Sequence, residues 1–254
     1  MELKEYIKQN YGKETAKEIA EKFGTNIYKI YREANNLDVK TNKAQNKTFN
    51  ITPNAEQIIL SGILGDGNIR KMGKGAVYRE KHGKEEFEYC KWKNNMLGEL
   101  TENKKMYNYK EKYLNFDTYN TIQLLKYADM NYDEVIDNLN ELGIILYLLD
   151  DGWTREYKSH QSFLVESRLI PLSSMIKLKE KIENIFGIEV RINTRIDSKS
   201  KKEIITLNIV DNKKIKEVCE KYKINNLDVF KKKFEKNKMP IKYLERDGII
   251  DAVI

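Results

Sequence analysis

Two short apolar runs constrain this 254-residue chain more than any other feature: ILSGILGDG at Ile59–Gly67 and IILYLLDDG at Ile144–Gly152, each closing on an acid and a glycine. An apolar stretch closed by glycine predicts a buried helix that stops there. The stop places Asp66 and the pair Asp150/Asp151 in the last helical turns. Unpaired carbonyls already make a helix C-terminus negative, so a carboxylate there calls for a compensating positive charge. Carboxylates and helix-end carbonyl oxygens are hard ligands of the kind that Mg²⁺ and Ca²⁺ prefer. A cation between two such helices turns the misplaced charge into a site.

The length accommodates one large domain and a small one, with ample core. A content of 40% hydrophobic and 33% charged residues is that of a soluble globular protein. No window approaches about eighteen apolar residues and MELKEYIKQN has no apolar h-region, so the expected location is cytoplasmic (bacterial or phage host) or organellar, without secretion. Cys90 and Cys219 are isolated, which excludes a disulfide framework or a CxxC metal site. The net charge of +7 points to a polyanionic partner. The surplus is local, because Lys199–Lys238 carries 13 lysines against 6 acids. Two histidines, His82 and His160, are too few and too isolated for an HNH-type nuclease or a His-based zinc site.

The apolar runs resemble the paired motifs of LAGLIDADG homing endonucleases, whose motif helices pack side by side and whose last acid before the glycine is catalytic. Asp66 matches that acid in the first motif and Asp151 in the second. Ser61, Gly62 and Gly65 match the small residues that let two helix backbones approach closely. The second motif has no small residue between Gly143 and Asp150, so an asymmetric crossing is expected. The resemblance implies Mg²⁺ held by Asp66 and Asp151 with the backbone carbonyls of Gly65 and Asp150, and Mn²⁺ or Ca²⁺ in the same sites. The Asp150 side chain is assigned a structural contact. A lysine near the scissile phosphate would stabilise charge or orient water. In the family such lysines come late in each half, which points to Lys238 in NKMP (Asn237–Pro240) and to Lys126 as the nearest first-half counterpart.

Residues 1–39 read as a separate helical unit. TAKEIAEKFG (Thr15–Gly24) and TNIYKIYREANNL (Thr25–Leu37) have helical spacing, with Ala20, Gly24 and Ile30 where a helix-turn-helix needs a small residue, a turn and a plug. In that motif the second helix enters the major groove, so Thr25, Asn26, Tyr28 and Lys29 would face DNA, with Arg32 on phosphate. Residues 40–53 read as a linker, 54–139 and 140–240 as two repeats, and 241–254 as a tail.

After Gly67 come a strand at Asn68–Gly73, extended segments around Tyr78 and Phe87–Cys90, a helix at Lys91–Lys105, a hairpin at Met106–Thr118 and a helix at Tyr119–Ala128. The second half runs through strands WTREYK and QSFLVESR, a helix at Leu172–Gly187, strands IEVRINTRI and EIITLNIV, and a helix at Asp211–Tyr222. Motif helix, two strands, helix, two strands, helix, given twice, matches the αββαββα repeat of the family. The expected fold class is α+β: two pseudo-symmetric repeats forming a saddle of antiparallel sheets around the paired motif helices, plus an all-α helix-turn-helix domain.

Alternation in Ile188–Ile196 puts Ile188, Val190, Ile192, Thr194 and Ile196 on a face that covers helices, and Glu189, Arg191, Asn193 and Arg195 on the other. In Glu203–Val210, Ile205, Leu207 and Ile209 point in, leaving Thr206 and Asn208 out. Arg, Asn and Thr on such a sheet are donors suited to bases and phosphate. Asn68, Arg70 and Arg155 join this set from the strands after each motif.

Two motifs in one chain imply a monomer that cuts both strands of a long, non-palindromic double-stranded DNA site, with metals held by carboxylates. The rivals are an intron maturase, which would bind RNA, and a regulator with a dead nuclease scaffold. Neither needs the acids that survive at Asp66 and Asp151. The expectation against an intein is that the chain starts Met-Glu and ends Ala-Val-Ile.

Overall fold

The computed structural model describes residues 2–11, 14–39, 48–109, 112–157, 160–197 and 201–234, with side chains at all of these except 109, 155–157, 160 and 161. Three helices form the N-terminal unit: α1 (Leu3–Asn10), α2 (Ala16–Lys22) and α3 (Ile27–Asn36). They bury a small core of Ile7, Ile19, Ala20, Ile30 and Ala34. A capping box between Thr15 and Glu18 opens α2, Gly24 takes the turn at φ +58°, and the Asn26 side-chain oxygen accepts from Lys29 N at 2.8 Å to open α3. The first helix, α1, was not read from the sequence, because its one buried residue, Ile7, sets no period.

The two motif helices are α4 (Pro53–Leu64) and α8 (Glu141–Asp151), which pack against each other. Pro53 at the first turn and the Thr52 cap start α4, and Asn140 caps α8 through the amides of Leu142 and Gly143. Every residue from Leu142 to Leu149 is buried, as expected of a helix apolar on all sides at the centre of a core. Asp150 and Asp151 close α8 as expected, whereas α4 ends at Leu64 and leaves Asp66 in the turn beyond Gly65.

The first motif leads into β1 (Gly67–Met72), β2 (Gly75–Gly83), α5 (Phe87–Met96), β3 (Tyr107–Tyr109), β4 (Tyr113–Asp117), α6 (Leu125–Ala128) and α7 (Tyr132–Asn138). The second leads into β5 (Gly152–Tyr157), β6 (His160–Ser167), α9 (Leu172–Phe186), β7 (Val190–Ile196), β8 (Glu203–Ile209), α10 (Lys213–Lys221) and α11 (Asp228–Phe234). Each set forms a four-stranded antiparallel sheet with the same order, β1-β2-β4-β3 and β5-β6-β8-β7. One hydrophobic core joins both motif helices to the inner faces of both sheets. The fold is thus α+β, with two antiparallel sheets and many helices.

Several local expectations are corrected. Phe87–Cys90 opens α5 instead of forming a strand, and the helix expected at Lys91–Lys105 ends at Met96 because Gly98 takes φ +55°. Tyr119–Ala128 is split into a 3₁₀ turn at Ile122–Leu124 and the short α6. Neither α7 nor α11 was foreseen, although Asn131 and Glu134 form a capping box before α7. Ile196, expected on the covered face, is 64% exposed at the hairpin end opposite Glu203, where the strands have left the core.

Candidate active site

Crossing of α4 and α8 brings their acidic ends together. Gly65 makes the crossing possible: a Cβ there would lie 3.1 Å from the Asp150 Cβ and 3.3 Å from its Oδ2. At the other end Gly143 faces Gln57, whose amide donates to Asn138 O at 3.0 Å and whose oxygen accepts from Asn140 N at 2.8 Å. Gly62 departs from the expected role. A Cβ there would meet the Tyr78 hydroxyl at 2.0 Å, so this glycine admits β2, not the partner helix. Each motif thus brings one glycine to the contact, Gly65 at the acidic end and Gly143 at the other.

The Asp66 side chain is 38% exposed, and Asp151 is half-buried. Burial, then the Asp150 charge, raises the Asp66 carboxyl to about 6. Burial, then Asp150 and Asp66, raises Asp151 to about 7. Carboxylates whose negative charge is disfavoured in this way are a place where a divalent cation is favoured. Asp150 itself has a fully buried side chain, accepting from Lys93 Nζ at 2.8 Å on both oxygens and from Tyr89 OH at 2.8 Å.

Strand β2 builds the floor. Its inward face carries Tyr78, Glu80 and His82, all buried, while Arg79 and Lys81 point outward. Lys93 Nζ also pairs with Glu80 Oε1, so one ammonium serves two buried carboxylates. Burial would lower the Lys93 pKa; Asp150 and Glu80 more than reverse this and keep it charged. Burial would likewise raise Glu80, but Lys93 and His82 hold it at about 2. The Tyr78 hydroxyl lies 2.8 Å from Glu80 Oε2 and 3.1 Å from Ile58 O. His82 Nε2 lies 3.0 Å from Glu80 Oε1; its Nδ1 lies 3.4 Å from Glu86 Oε2 and 3.6 Å from Asp66 Oδ2. Burial opposes a charge on His82, yet the neighbouring Glu80 and Glu86 carboxylates raise its pKa to about 10 in the metal-free protein.

Asp66, His82 and Asp150 each present a ligand atom within 4.8 Å of the others, the one such group of three among the described residues. Asp151 is not a member. His82 Nδ1 is buried and makes no hydrogen bond. These donors fit a divalent cation beside Asp66. The Asp150 backbone carbonyl, expected as a ligand, accepts from Lys233 Nζ at 3.1 Å. Lys233, on α11, is 9% exposed; burial lowers its pKa, and its charge acts on Asp151.

Of the two expected lysines, Lys126 is in the wrong place. It pairs with Glu56 at 3.1 Å, in the first turn of α4, about 12 Å along the helix from Leu64 at the acidic end, at a rise of about 1.5 Å per residue. Lys238 lies outside the described residues. Sequence reading missed Glu80, His82, Tyr89, Lys93 and Lys233, since hydropathy marks such residues as surface. The signal available was the β2 alternation, which sorts Tyr78, Glu80 and His82 onto one face.

The candidate DNA-facing residues lie on strands and on α3. Asn68 and Arg70 are exposed on β1, and Arg155 lies on β5 opposite Ser162. On β7, Arg191 and Asn193 are exposed, and Arg195 is half-buried; on β8, Thr206 and Asn208 are half-buried as well. The face is less one-signed than expected, because Arg191 donates to Glu189 at 2.8 Å and Arg195 to Glu166 at 3.1 Å. On α3, Tyr28 is 83% exposed, Lys29 is exposed and Arg32 lies 4.0 Å from Glu33; Thr25 is half-buried and Asn26 is the helix cap.

Comparison with known proteins agrees with this architecture. The profile of the LAGLIDADG DNA endonuclease family matches residues 56–236. This chain belongs to that family. It is similar, at 16% identity, to the homing endonuclease I-WcaI bound to its DNA recognition sequence, with a TM-score of 0.56 over 73% of this chain and 88% of that one. A second structure, I-DmoI in complex with DNA and Mn, aligns at 17% identity and a TM-score of 0.44 over 65% of this chain and 94% of its own. Among curated proteins, Protein RecA of Mycolicibacterium flavescens is 23% identical over 185 residues, 65% of this chain and 43% of that protein, so the chain spans under half the length of this relative. No helix among the described residues is long and apolar enough to cross a membrane.

Proposed function

We propose that the chain is a site-specific homing endonuclease that hydrolyses both strands of a long, non-palindromic DNA target. The observation that carries this reading is the convergence of Asp66 and Asp151: a Cβ on Gly65, the residue before Asp66, would lie 3.6 Å from Asp151 Oδ2. Asp66 and Asp151 would hold divalent cations, Mg²⁺ or Mn²⁺, whose chemistry would be to lower the pKa of water and offset charge on the phosphoryl oxygens. Asp150 is kept from the reaction by Lys93 and Tyr89, and it holds the second motif against Gly65. Lys233 supplies the buried positive charge beside Asp151, with Lys238 a further source from the same end of the chain.

The repeated strand order supports a pseudo-symmetric monomer in which each half addresses one strand. Asn68, Arg70, Arg155, Arg191, Asn193, Arg195, Thr206 and Asn208 contact the duplex. Surface ion pairs such as Arg191 with Glu189 are worth about 1 kcal/mol or less, so a phosphate competes for the guanidinium. The α2–α3 pair acts as a helix-turn-helix on one flank. Incubating the protein and Mg²⁺ with a randomised duplex library, then sequencing the cut ends, tests the reading. It predicts one recurrent non-palindromic site cut on both strands and protected by chelator. Uncut DNA, or binding confined to RNA, contradicts it.

A further inference from the structure

His82 gives the Asp66 side of the cluster a nitrogen donor. The ring is 2% exposed and oriented by Glu80, whose Oε1 lies 3.0 Å from Nε2. Ionised Glu80 only accepts hydrogen bonds, so Nε2 keeps its hydrogen, and a cation at Nδ1 takes the place of the second ring proton that the carboxylates hold in the metal-free protein. A carboxylate on one ring nitrogen, fixing the tautomer and orientation of the other, is the outer-shell arrangement of metal-binding histidines. Nδ1 has no hydrogen bond; it lies 3.4 Å from Oε2 of Glu86, whose other oxygen is paired with Lys232, and its 3.6 Å gap to Asp66 Oδ2 is spanned by two bonds of about 2.1 Å to one cation.

The second half lacks this device. Gly67, after Asp66, pairs with Glu80, and Gly152, after Asp151, pairs with Val165. Two residues further along, His82 on β2 therefore corresponds to Ser167 on β6. The inward face beside Asp151 offers Val165 and Ser167 where the face beside Asp66 offers Glu80 and His82.

We infer that His82 Nδ1 joins Asp66 as a direct ligand, making this centre a mixed nitrogen and oxygen site that selects Mn²⁺ or Co²⁺ over Mg²⁺ and Ca²⁺, while the Asp151 centre is built from oxygen alone. Imidazole suits transition ions, whereas Mg²⁺ and Ca²⁺ take oxygen. The inference rests on the reading of Asp66 as a metal ligand. Asp150 adds negative charge from behind, its oxygens being occupied by Lys93 and Tyr89.

Electron spin-echo envelope modulation of Mn²⁺ added to the full-length protein tests it. The expected spectrum shows ¹⁴N modulation from coordinated imidazole, converted to a ¹⁵N signal by ¹⁵N-histidine labelling. The chain has two histidines, so the signal persisting in His160→Gln and vanishing in His82→Gln identifies the ligand. The labelled His160→Gln protein gives the assignment even if His82→Gln does not fold. His82→Gln also weakens the tighter Mn²⁺ affinity at least about tenfold, in the range lost when a ligand's support is removed. Bound Mn²⁺ with no histidine nitrogen coupling, displaced by Asp66→Asn, overturns the inference and leaves Asp66 as a ligand. No bound Mn²⁺ in the wild-type protein overturns both.

Discussion

Lys93 on α5 donates to both carboxylate oxygens of Asp150 on α8 at 2.8 Å, inside the protein and shielded from water. Removing one partner of a buried pair leaves an uncompensated charge and costs about 3–5 kcal/mol. Lys93→Met strands two acids, Asp150 and Glu80, and denaturant unfolding is expected to show a loss of that size. Adding Glu80→Gln to Lys93→Met recovers part of it. Asp150→Asn also destabilises, and at a temperature where it remains folded it cleaves DNA better than Asp151→Asn; equal loss would move the catalytic role to Asp150.

Gly62→Ala is expected to cost about 1–3 kcal/mol, because its Cβ would overlap the Tyr78 hydroxyl that Ile58 and Glu80 hold in place. Tyr78→Phe removes the obstructing oxygen. Thermal unfolding of the single and double variants therefore gives a double-mutant loss smaller than the sum of the single losses. Additive losses would mean that Gly62 answers to some other neighbour.

Stability of the metal-free protein carries the signature of the raised acids. Asp66 at about 6 and Asp151 at about 7 both lie above their ordinary 3.8, so between roughly pH 4 and 7 the folded state binds more protons than the unfolded one. Their contribution is present below the unfolded value and is lost as pH rises through the folded one. Thermal melts in chelator compare the wild-type protein with Asp66→Asn/Asp151→Asn. The double variant gains on wild type as pH climbs from 4 to 7, and the gap closes when a divalent cation is restored to the wild-type protein. A gap independent of pH contradicts the raised values.

Deleting residues 1–47 removes α1 to α3 and Arg32. The DNase footprint on one target should shorten on one flank, affinity should fall, and its salt dependence should flatten as phosphate contacts are lost. The cut position stays fixed. An identical footprint and salt slope would assign these helices a role other than DNA binding.

The parts of the fold legible in sequence were those written in hydropathy and glycine. The two apolar runs marked α4 and α8, and the alternation of β7 and β8 assigned Val190, Leu207 and Ile209 to the core. Helix limits were legible only where a cap or left-handed glycine signalled them, as at Gly187 with φ +65° after α9. The polar floor was hidden. Lys93 and Glu80 are charged residue types that read as surface, and only tertiary pairing allows them inside. Asp66 and Asp151 were visible from their glycines, whereas Lys233 was one of a run of three lysines, Lys231–Lys233, that differ only in which way each one faces.

The most direct measurement is cleavage of a mapped target by Asp66→Asn and Asp151→Asn in Mg²⁺ and in Mn²⁺, beside an electrophoretic binding assay on the same duplex. Both variants are predicted to lose double-strand cleavage while binding stays within about tenfold of wild type, about 1.4 kcal/mol. Full cutting by either variant would contradict the account, since the acids that the motif helices bring together would then not be the ones that do the chemistry.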